Sequence, residues 1–300
     1  MNNNVILKEF VSHSCFDESI LFKKDTTYPK ISIVVPSFNQ AVFLERTILS
    51  ILNQNYPNLE FILMDGGSTD GSLDIIKKYE KYLSYWVSEK DRGQAHAINK
   101  GFQMATGELV AWQNSDDIYL PGAFHKIADI AMRSNYDVYF GNVYLTDEND
   151  DILKEMKYIP FSVLHLLFEW NITSQAVFWK RNLFNDIGLL DDSLNVFFDW
   201  DWFIRIGKRN KRFKFTNDFL GAYRIHAAAK LATIKNRDSA RSYVFKKNNI
   251  QFNKLERIIK KGFIFMRRIM YYVLQGDFDY LYSGIVRRCH KICKITSEFR

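Results

Sequence analysis

Two hydrophobic rhythms alternate through the first third of the chain. The run ISIVV (31–35) is continuous, β-branched and closed by Pro36, as expected of a strand buried on both faces. Over 40–54 the period changes, with Phe43, Leu44, Ile48, Ile51 and Leu52 recurring at helical spacing. LEFILMD (59–65) predicts a second strand, GGSTDGS (66–72) a turn, and LDIIKKYEKYL (73–83) a second helix. LSYWVSE (83–89), GQAHAINKGFQMA (93–105) and ELVAWQ (108–113) continue as strand, helix and strand. A polar lead segment precedes all of these.

Three strand–helix alternations in succession predict an α/β protein with a parallel sheet covered by helices. Ligands of open α/β sheets bind beyond the carboxyl ends of the strands. The polar residues that close these strands are therefore the first candidates for chemistry: Phe38-Asn39, Asp65 and Asp116-Asp117. The second half is less regular. Strands are expected over 137–145 and 219–226, a strand then a helix over 172–188, and a helix opened by acidic residues over 197–209. From about 237 onward the pattern is helical.

With 300 residues, 47% of them hydrophobic and 16% aromatic, the chain can bury a large core. Its three cysteines, Cys15, Cys289 and Cys293, make no disulfide framework, and the spacing of the last two fits one helix face better than a zinc site. Neither a signal peptide nor an apolar run long enough to span a bilayer is seen, so a cytoplasmic protein is expected. The net charge of +7 is confined to the tail: residues 254–300 hold 11 Lys and Arg against 4 Asp and Glu. A neutral body with a basic tail excludes a general nucleic-acid binder and points the tail toward an anionic surface.

Asn114-Ser115-Asp116-Asp117 sets two adjacent carboxylates at the end of a buried strand. A surface turn is one reading. The other is a divalent-cation site, in which hard oxygen ligands hold Mn²⁺ or Mg²⁺ against a diphosphate. Three polar strand ends on one edge of the sheet favour the metal.

The motifs IVVPSFNQ, SILNQNYPNLEFILMDGGSTDGS, YWVSEKDRGQAHAINKGFQMATGEL, WQNSDDIYLPGA, SQAVFWKRNLFNDIGLLDDSL, FDWDWFIRI and YRIH follow one another from Ile31 to His226. In this order they resemble the family 2 glycosyltransferases, inverting enzymes of GT-A fold that act in bacterial surface polysaccharide synthesis. The resemblance implies a mixed sheet flanked by helices over 1–236, with a basic helical extension over 237–300. It implies a nucleoside-diphosphate sugar donor, UDP-linked by preference, and a glycan or lipid-linked glycan acceptor.

Position by position, the resemblance puts Pro36, Phe38 and Asn39 at the donor base, with the Phe38 ring stacked on it. It puts Asp65 at the nucleoside and Asp116 at the ribose or a metal-bound water. Asp117 becomes the primary metal ligand, with His226 near the metal or diphosphate. Two departures stand out: Gly66 where a second Asp is common, and Asn114 where Asp is common. Three alanines, 227–229, also follow His226 where relatives carry small polar or acidic residues. Arg92 and Asn99, on or before the third helix, are candidates for the donor side. Asp199 falls at the catalytic base and Asp201 behind it; both would otherwise serve only the helix dipole. Of Trp170, Trp179, Trp200 and Trp202, some are free to stack on sugar and most belong in the core.

A nucleotidyltransferase would share the acids, yet 36–40 has neither the glycine nor the lysine of a triphosphate loop. A catalytically inactive scaffold of the same fold would have no need of them. In the tail, LERIIKKGFIFMRRIMYYVL (255–274) mixes an apolar stripe with cations, suited to an anionic membrane surface or to a second copy of the chain.

Overall fold

The computed structural model describes residues 3–230 and 237–284. Cys289 and Cys293, like the last part of the basic tail, lie outside the described residues.

In chain order the elements are α1 (Asn3–Ser12), α2 (Glu18–Lys23), β1 (Ile31–Ser37), α3 (Ala41–Leu52), β2 (Leu59–Asp65) and α4 (Ser72–Tyr79). Then come β3 (Tyr85–Ser88), α5 (Gln94–Met104), β4 (Leu109–Trp112), β5 (Ile118–Tyr119), α6 (Ala123–Arg133), β6 (Val138–Thr146) and β7 (Ile152–Met156). The chain continues through α7 (Val163–Leu166), β8 (Val177–Lys180), α8 (Leu183–Ile187), α9 (Phe198–Lys208), β9 (Phe213–Arg224), α10 (Arg237–Lys247) and α11 (Lys254–Leu274).

The sheet has nine strands in the order β3-β2-β1-β4-β8-β6-β9-β5, with β7 on β6. All seven residues of β1 are buried, which is why its sequence is mostly apolar and its buried Ser32 hydroxyl is bonded to Glu60. It pairs in parallel with β2 from Ile31↔Leu59 to Ser37↔Asp65, and with β4 from Ile31↔Leu109. The chain leaves β1 to one side, builds β2 and β3, and returns to the other side at β4. The carboxyl ends of β1 and β4 thus flank a topological switch point. Beyond β4 the sheet is mixed: β8 is antiparallel to both β4 and β6, while β6 and β9 are parallel.

Trp112 and Trp179 meet at 5.4 Å between ring centroids, and Phe102 of α5 packs edge-on to Trp179 at 5.5 Å. These large rings weld the parallel half to the mixed half, and Trp112 also floors the cavity described below. The polar lead segment is structured: Leu7 and Val11 of α1 pack on Ile118, Leu120, Tyr144 and Ala222.

The described chain forms two compact units, 1–250 and 251–300. The expected boundary after 236 falls inside the first unit, because α10 belongs to it: Arg241 donates to the Leu167 carbonyl at 2.7 Å and lies over the Trp200 ring. In the second unit, α11 opens with a capping box between Asn253 and Glu256.

Candidate active site

A cavity of about 370 Å³ opens at the carboxyl ends of β1 and β4. Pro36 and Phe38, at the end of β1, line it together with Asp91, Trp112 and Asp116, and so do Trp170, Phe197, Asp199 and Lys230. The size and mixed lining are those of a small-molecule site.

The tandem acids after β4 part company. Asp116 lines the cavity, and its Oδ2 lies 3.1 Å from His226 Nε2. Asp117 turns inward, where its carboxylate accepts from Asn114 Nδ2 (2.8 Å), Gln175 Nε2 (2.7 Å) and the Arg224 backbone N–H (2.9 Å). Burial first, and the Asp116 charge second, push its carboxyl up to about 7. The expected order of the two is therefore reversed: the cavity-facing carboxylate is Asp116, and Asp117 is held by three donors of its own chain. Asn114 has a reason too. Its amide donates to Asp117 while its carbonyl accepts from Gln94 at 2.8 Å, whereas an aspartate there would face Asp117 with a second charge.

Beneath this loop lies a buried ion network. Arg224 Nε and Nη2 both donate to Asp150 Oδ1, at 2.9 and 2.5 Å, and Arg46 Nη1 meets Asp150 Oδ2 at 2.6 Å. Arg224 Nη1 also donates to the Asp116 carbonyl. The guanidinium so holds the backbone of the acid and lies over the Phe43 ring. His226 stacks on Phe43 with ring centroids 4.4 Å apart.

The nucleoside side differs from expectation as well. Asp65 is 2% exposed and does not line the cavity. Its oxygens accept from Gly67 and Ser68 N–H (3.1 and 2.9 Å) and from Ser68 and Ser88 hydroxyls (2.5 and 2.6 Å). It builds the turn after β2. Asn39, at φ 52°, ties the β1 turn to that turn by accepting from Thr69 N–H at 2.9 Å. Phe38 stands 58% exposed at the rim, ready to stack. Arg92 and Asn99 are not brought to the cavity. Arg92 pairs with Asp192 at 2.7 Å on the surface, and the Asn99 amide is used on both sides by the Leu190 backbone.

Asp199 and Asp201 divide in the same way as Asp116 and Asp117. Asp199 lines the cavity at the first turn of α9, where burial pushes its carboxyl up to about 6 against a hydrogen bond from the Trp200 N–H. Asp201 is fully buried and bound by Arg205 Nε, Lys247 Nζ and Asn248 Nδ2, each at 2.8 Å. It pins α10 to α9. Phe197, which precedes the helix, sits at φ 60°, an uncommon backbone for a non-glycine residue that turns Asp199 into the site. Of the four tryptophans, only Trp170 is substantially exposed (41%), and it lines the cavity beside Phe197; Trp179, Trp200 and Trp202 are core.

Sequence reasoning missed Lys230. It lines the cavity, with burial drawing its ammonium pKa down against the charges of Asp199 and Asp91. Only its place four residues after His226 signalled it. Asp91, which also lines the cavity, was missed too.

Among the described residues no cluster of three or more His, Cys, Asp or Glu side chains encloses a metal. Asp116, which lines the cavity, and His226, 3.1 Å from it, form a half-site of one hard oxygen and one imidazole. The carboxylate fits Mn²⁺ or Mg²⁺ and the imidazole fits Mn²⁺, with the remaining ligands to come from a bound diphosphate and water.

A sheet of this order with acids at its switch point is the GT-A glycosyltransferase fold. Residues 32–204 match the family model for glycosyl transferase family 2, and the chain belongs to that family. A PGL/p-HBAD biosynthesis glycosyltransferase of Mycobacterium bovis is 32% identical over 182 residues, covering 59% of this chain and 69% of the relative. An uncharacterised glycosyltransferase of Rickettsia typhi is 30% identical over 254 residues, covering 80% and 78%. Among solved structures, the mannosyltransferase PcManGT of Pyrobaculum calidifontis, in complex with GDP-Man and Mn²⁺, shares the fold with a TM-score of 0.57 at 18% identity, over 83% of this chain and 71% of that one. S. aureus TarS 1–349, in complex with UDP-GlcNAc, gives 0.55 at 16% identity, over 75% and 68%.

Proposed function

We propose that this glycosyltransferase moves a sugar, with inversion, from a nucleoside-diphosphate donor to a hydroxyl of a glycan or lipid-linked glycan. The observation that carries the reading is that one cavity is lined by Phe38, Asp116 and Asp199 together.

Phe38 stacks the base. Asp116 and His226 hold Mn²⁺ or Mg²⁺, which when bound neutralises charge on the leaving diphosphate. Lys230 supplies a protein cation to the same charge, and its own ammonium is favoured when an anion binds. Asp199 takes the proton of the acceptor hydroxyl. That oxygen attacks the anomeric carbon from the face opposite the diphosphate, and the anomeric C–O bond breaks with its electron pair leaving on the phosphate oxygen. A carboxyl at about 6 is basic enough to accept a proton yet mostly ionised at neutral pH. Trp170 and Phe197 offer apolar faces for the acceptor sugar.

The second unit supplies the location. No helix among the described residues is long and apolar enough to cross a membrane. On α11, Leu255, Ile258, Ile259, Phe263, Met266, Met270 and Leu274 are each at least 60% exposed. At 100° per residue they fall on one half of the helix, with Lys260, Lys261, Arg267 and Arg268 on the other. This is the form of an interfacial helix, and it supports a reading in which the enzyme docks peripherally on an anionic leaflet.

The test of function is release of nucleoside diphosphate from a panel of UDP- and GDP-sugars with Mn²⁺. Turnover or donor binding that vanishes in EDTA supports the reading; a protein that binds none of the panel overturns it.

A further inference from the structure

The turn after β2 carries Gly66 in a place where a side chain would displace the Asp91 carboxylate. A Cβ built there would lie 2.7 Å from Asp91 Oδ2 and 3.2 Å from Phe38 Cδ2. The contact with Asp91 is closer than real Cβ atoms come. The absence of a side chain is what lets the Asp91 carboxylate, arriving from the segment after β3, close over the β2 turn beside the Phe38 ring. Asp91 and Phe38 both line the cavity, whereas Asp65 does not.

The two oxygens of Asp91 have different duties. Oδ1 accepts the Gly93 N–H at 2.7 Å, which fixes the carboxylate plane at the entry to α5. Oδ2 takes no hydrogen bond among the described residues. A fixed, single, anionic acceptor therefore stands at the edge of an exposed aromatic face. Its place in the sheet is at the β2 and β3 ends, across β1 from Asp116 on the β4 loop.

We infer that Asp91, made possible by Gly66, reads the base of the donor, accepting the ring N–H of a uracil stacked on Phe38. The inference rests on the donor reading above and deepens it. A carboxylate complements an imide N3–H, and it repels the N3 lone pair that cytosine presents at the same position. Guanine offers two adjacent N–H donors and is matched best by two free carboxylate oxygens, whereas Oδ1 already accepts the Gly93 N–H and keeps only its remaining lone pair.

The commitment of Oδ1 also dictates what an amide would do. In Asp91→Asn, the amide oxygen must stay with the Gly93 N–H, so the NH₂ group takes the place of Oδ2. The site would then donate where it had accepted, and cytosine N3 would become the better partner.

The experiment is titration of the full chain with UDP, CDP and GDP in the presence of Mn²⁺, for the wild type, Asp91→Asn and Gly66→Ala. The wild type is expected to bind UDP at least tenfold more tightly than CDP. Asp91→Asn should lower that ratio by tenfold or more, and Gly66→Ala should weaken UDP binding by displacing the carboxylate. Ligand-free unfolding temperatures of the variants, read alongside, separate loss of recognition from loss of fold. A UDP-to-CDP ratio in Asp91→Asn within twofold of wild type, or tighter wild-type binding of GDP than of UDP, overturns the inference while leaving the transferase reading intact. Failure of the wild type to bind any of the three overturns that reading itself.

Discussion

The loop after β4 and the first turn of α9 each carry two carboxylates, and each gives one to the cavity and locks the other into the fold. They differ in what does the locking. Asp201 is met by two cations, Arg205 and Lys247, and by the Asn248 amide. Asp117 is met by two side-chain amides and a backbone N–H, with no cation among its three hydrogen-bond partners. Burial first and the Asp116 charge second raise the Asp117 carboxyl to about 7, and its neutral donors offset this only in part. The comparison teaches that adjacent acids in a motif need not share a role. The side chain with saturated oxygens holds the loop, and its neighbour is left for the ligand.

The strongest way to break the comparison is to neutralise the working acid of α9. Asp199→Asn should lower kcat by at least about 10²-fold while leaving donor affinity close to wild type, because a base acts only in the transition state. Steady-state turnover beside equilibrium donor binding checks this; a larger loss of kcat in a still-folded Asp201→Asn would reverse the two roles. Next in size is the working acid of the β4 loop. Asp116→Asn should weaken Mn²⁺-dependent nucleotide binding by about tenfold or more, by analogy with the loss seen when metal-site support is removed. Binding isotherms with and without EDTA give the answer, and an unchanged Mn²⁺ dependence would remove Asp116 from the site.

A smaller effect follows from protonation. The raised pKa of Asp199 predicts that kcat/KM falls on the acid side with an inflection near 6, and that this limb is absent in the residual rate of Asp199→Asn. For stability the sign is opposite. A carboxyl that holds its proton more tightly when folded stabilises fully below its unfolded value, about 4, and that contribution is lost as pH rises through about 6. Smallest is the effect of the tail on chemistry, which should be nil in solution. Replacing Lys260, Lys261, Arg267 and Arg268 by Glu should abolish co-sedimentation with anionic vesicles at low salt, since each cation contributes about 1 kcal/mol near such a surface. Equal sedimentation of wild type and variant would remove the membrane from the account.

The parallel half of the fold was legible because β1, β2 and β4 are buried almost throughout and each helix there buries one face, so the periodicity is strong. The short strands β5 and β7 were not: β5 spans two residues, and β7 has no fully buried residue. Helix α1 hid in a segment whose two buried side chains, Leu7 and Val11, are diluted by polar neighbours. At the site, the motifs pointed to Phe38, Asp116 and Asp199, which line the cavity, and to His226, which lies 3.1 Å from Asp116. Which of two acids faces the cavity was not legible, because it is decided by Gln175, Arg224 and Lys247, partners 46 to 107 residues distant in sequence. Lys230 and Asp91 were unreadable for the same reason: each becomes a site residue only once distant segments meet.

The most direct test of the division of labour needs neither donor nor acceptor. It is the thermal unfolding temperature, at pH 8 and without ligand, of Asp116→Asn, Asp117→Asn, Asp199→Asn and Asp201→Asn side by side. In Asp117→Asn and Asp201→Asn the new NH₂ group must face donors or lose ion pairs, at a cost of about 2–5 kcal/mol. The account predicts that both unfold at least about 4 °C below wild type, while Asp116→Asn and Asp199→Asn unfold at or above the wild-type temperature. The reverse pattern, with the cavity-facing acids carrying the stability and their neighbours dispensable, would contradict it.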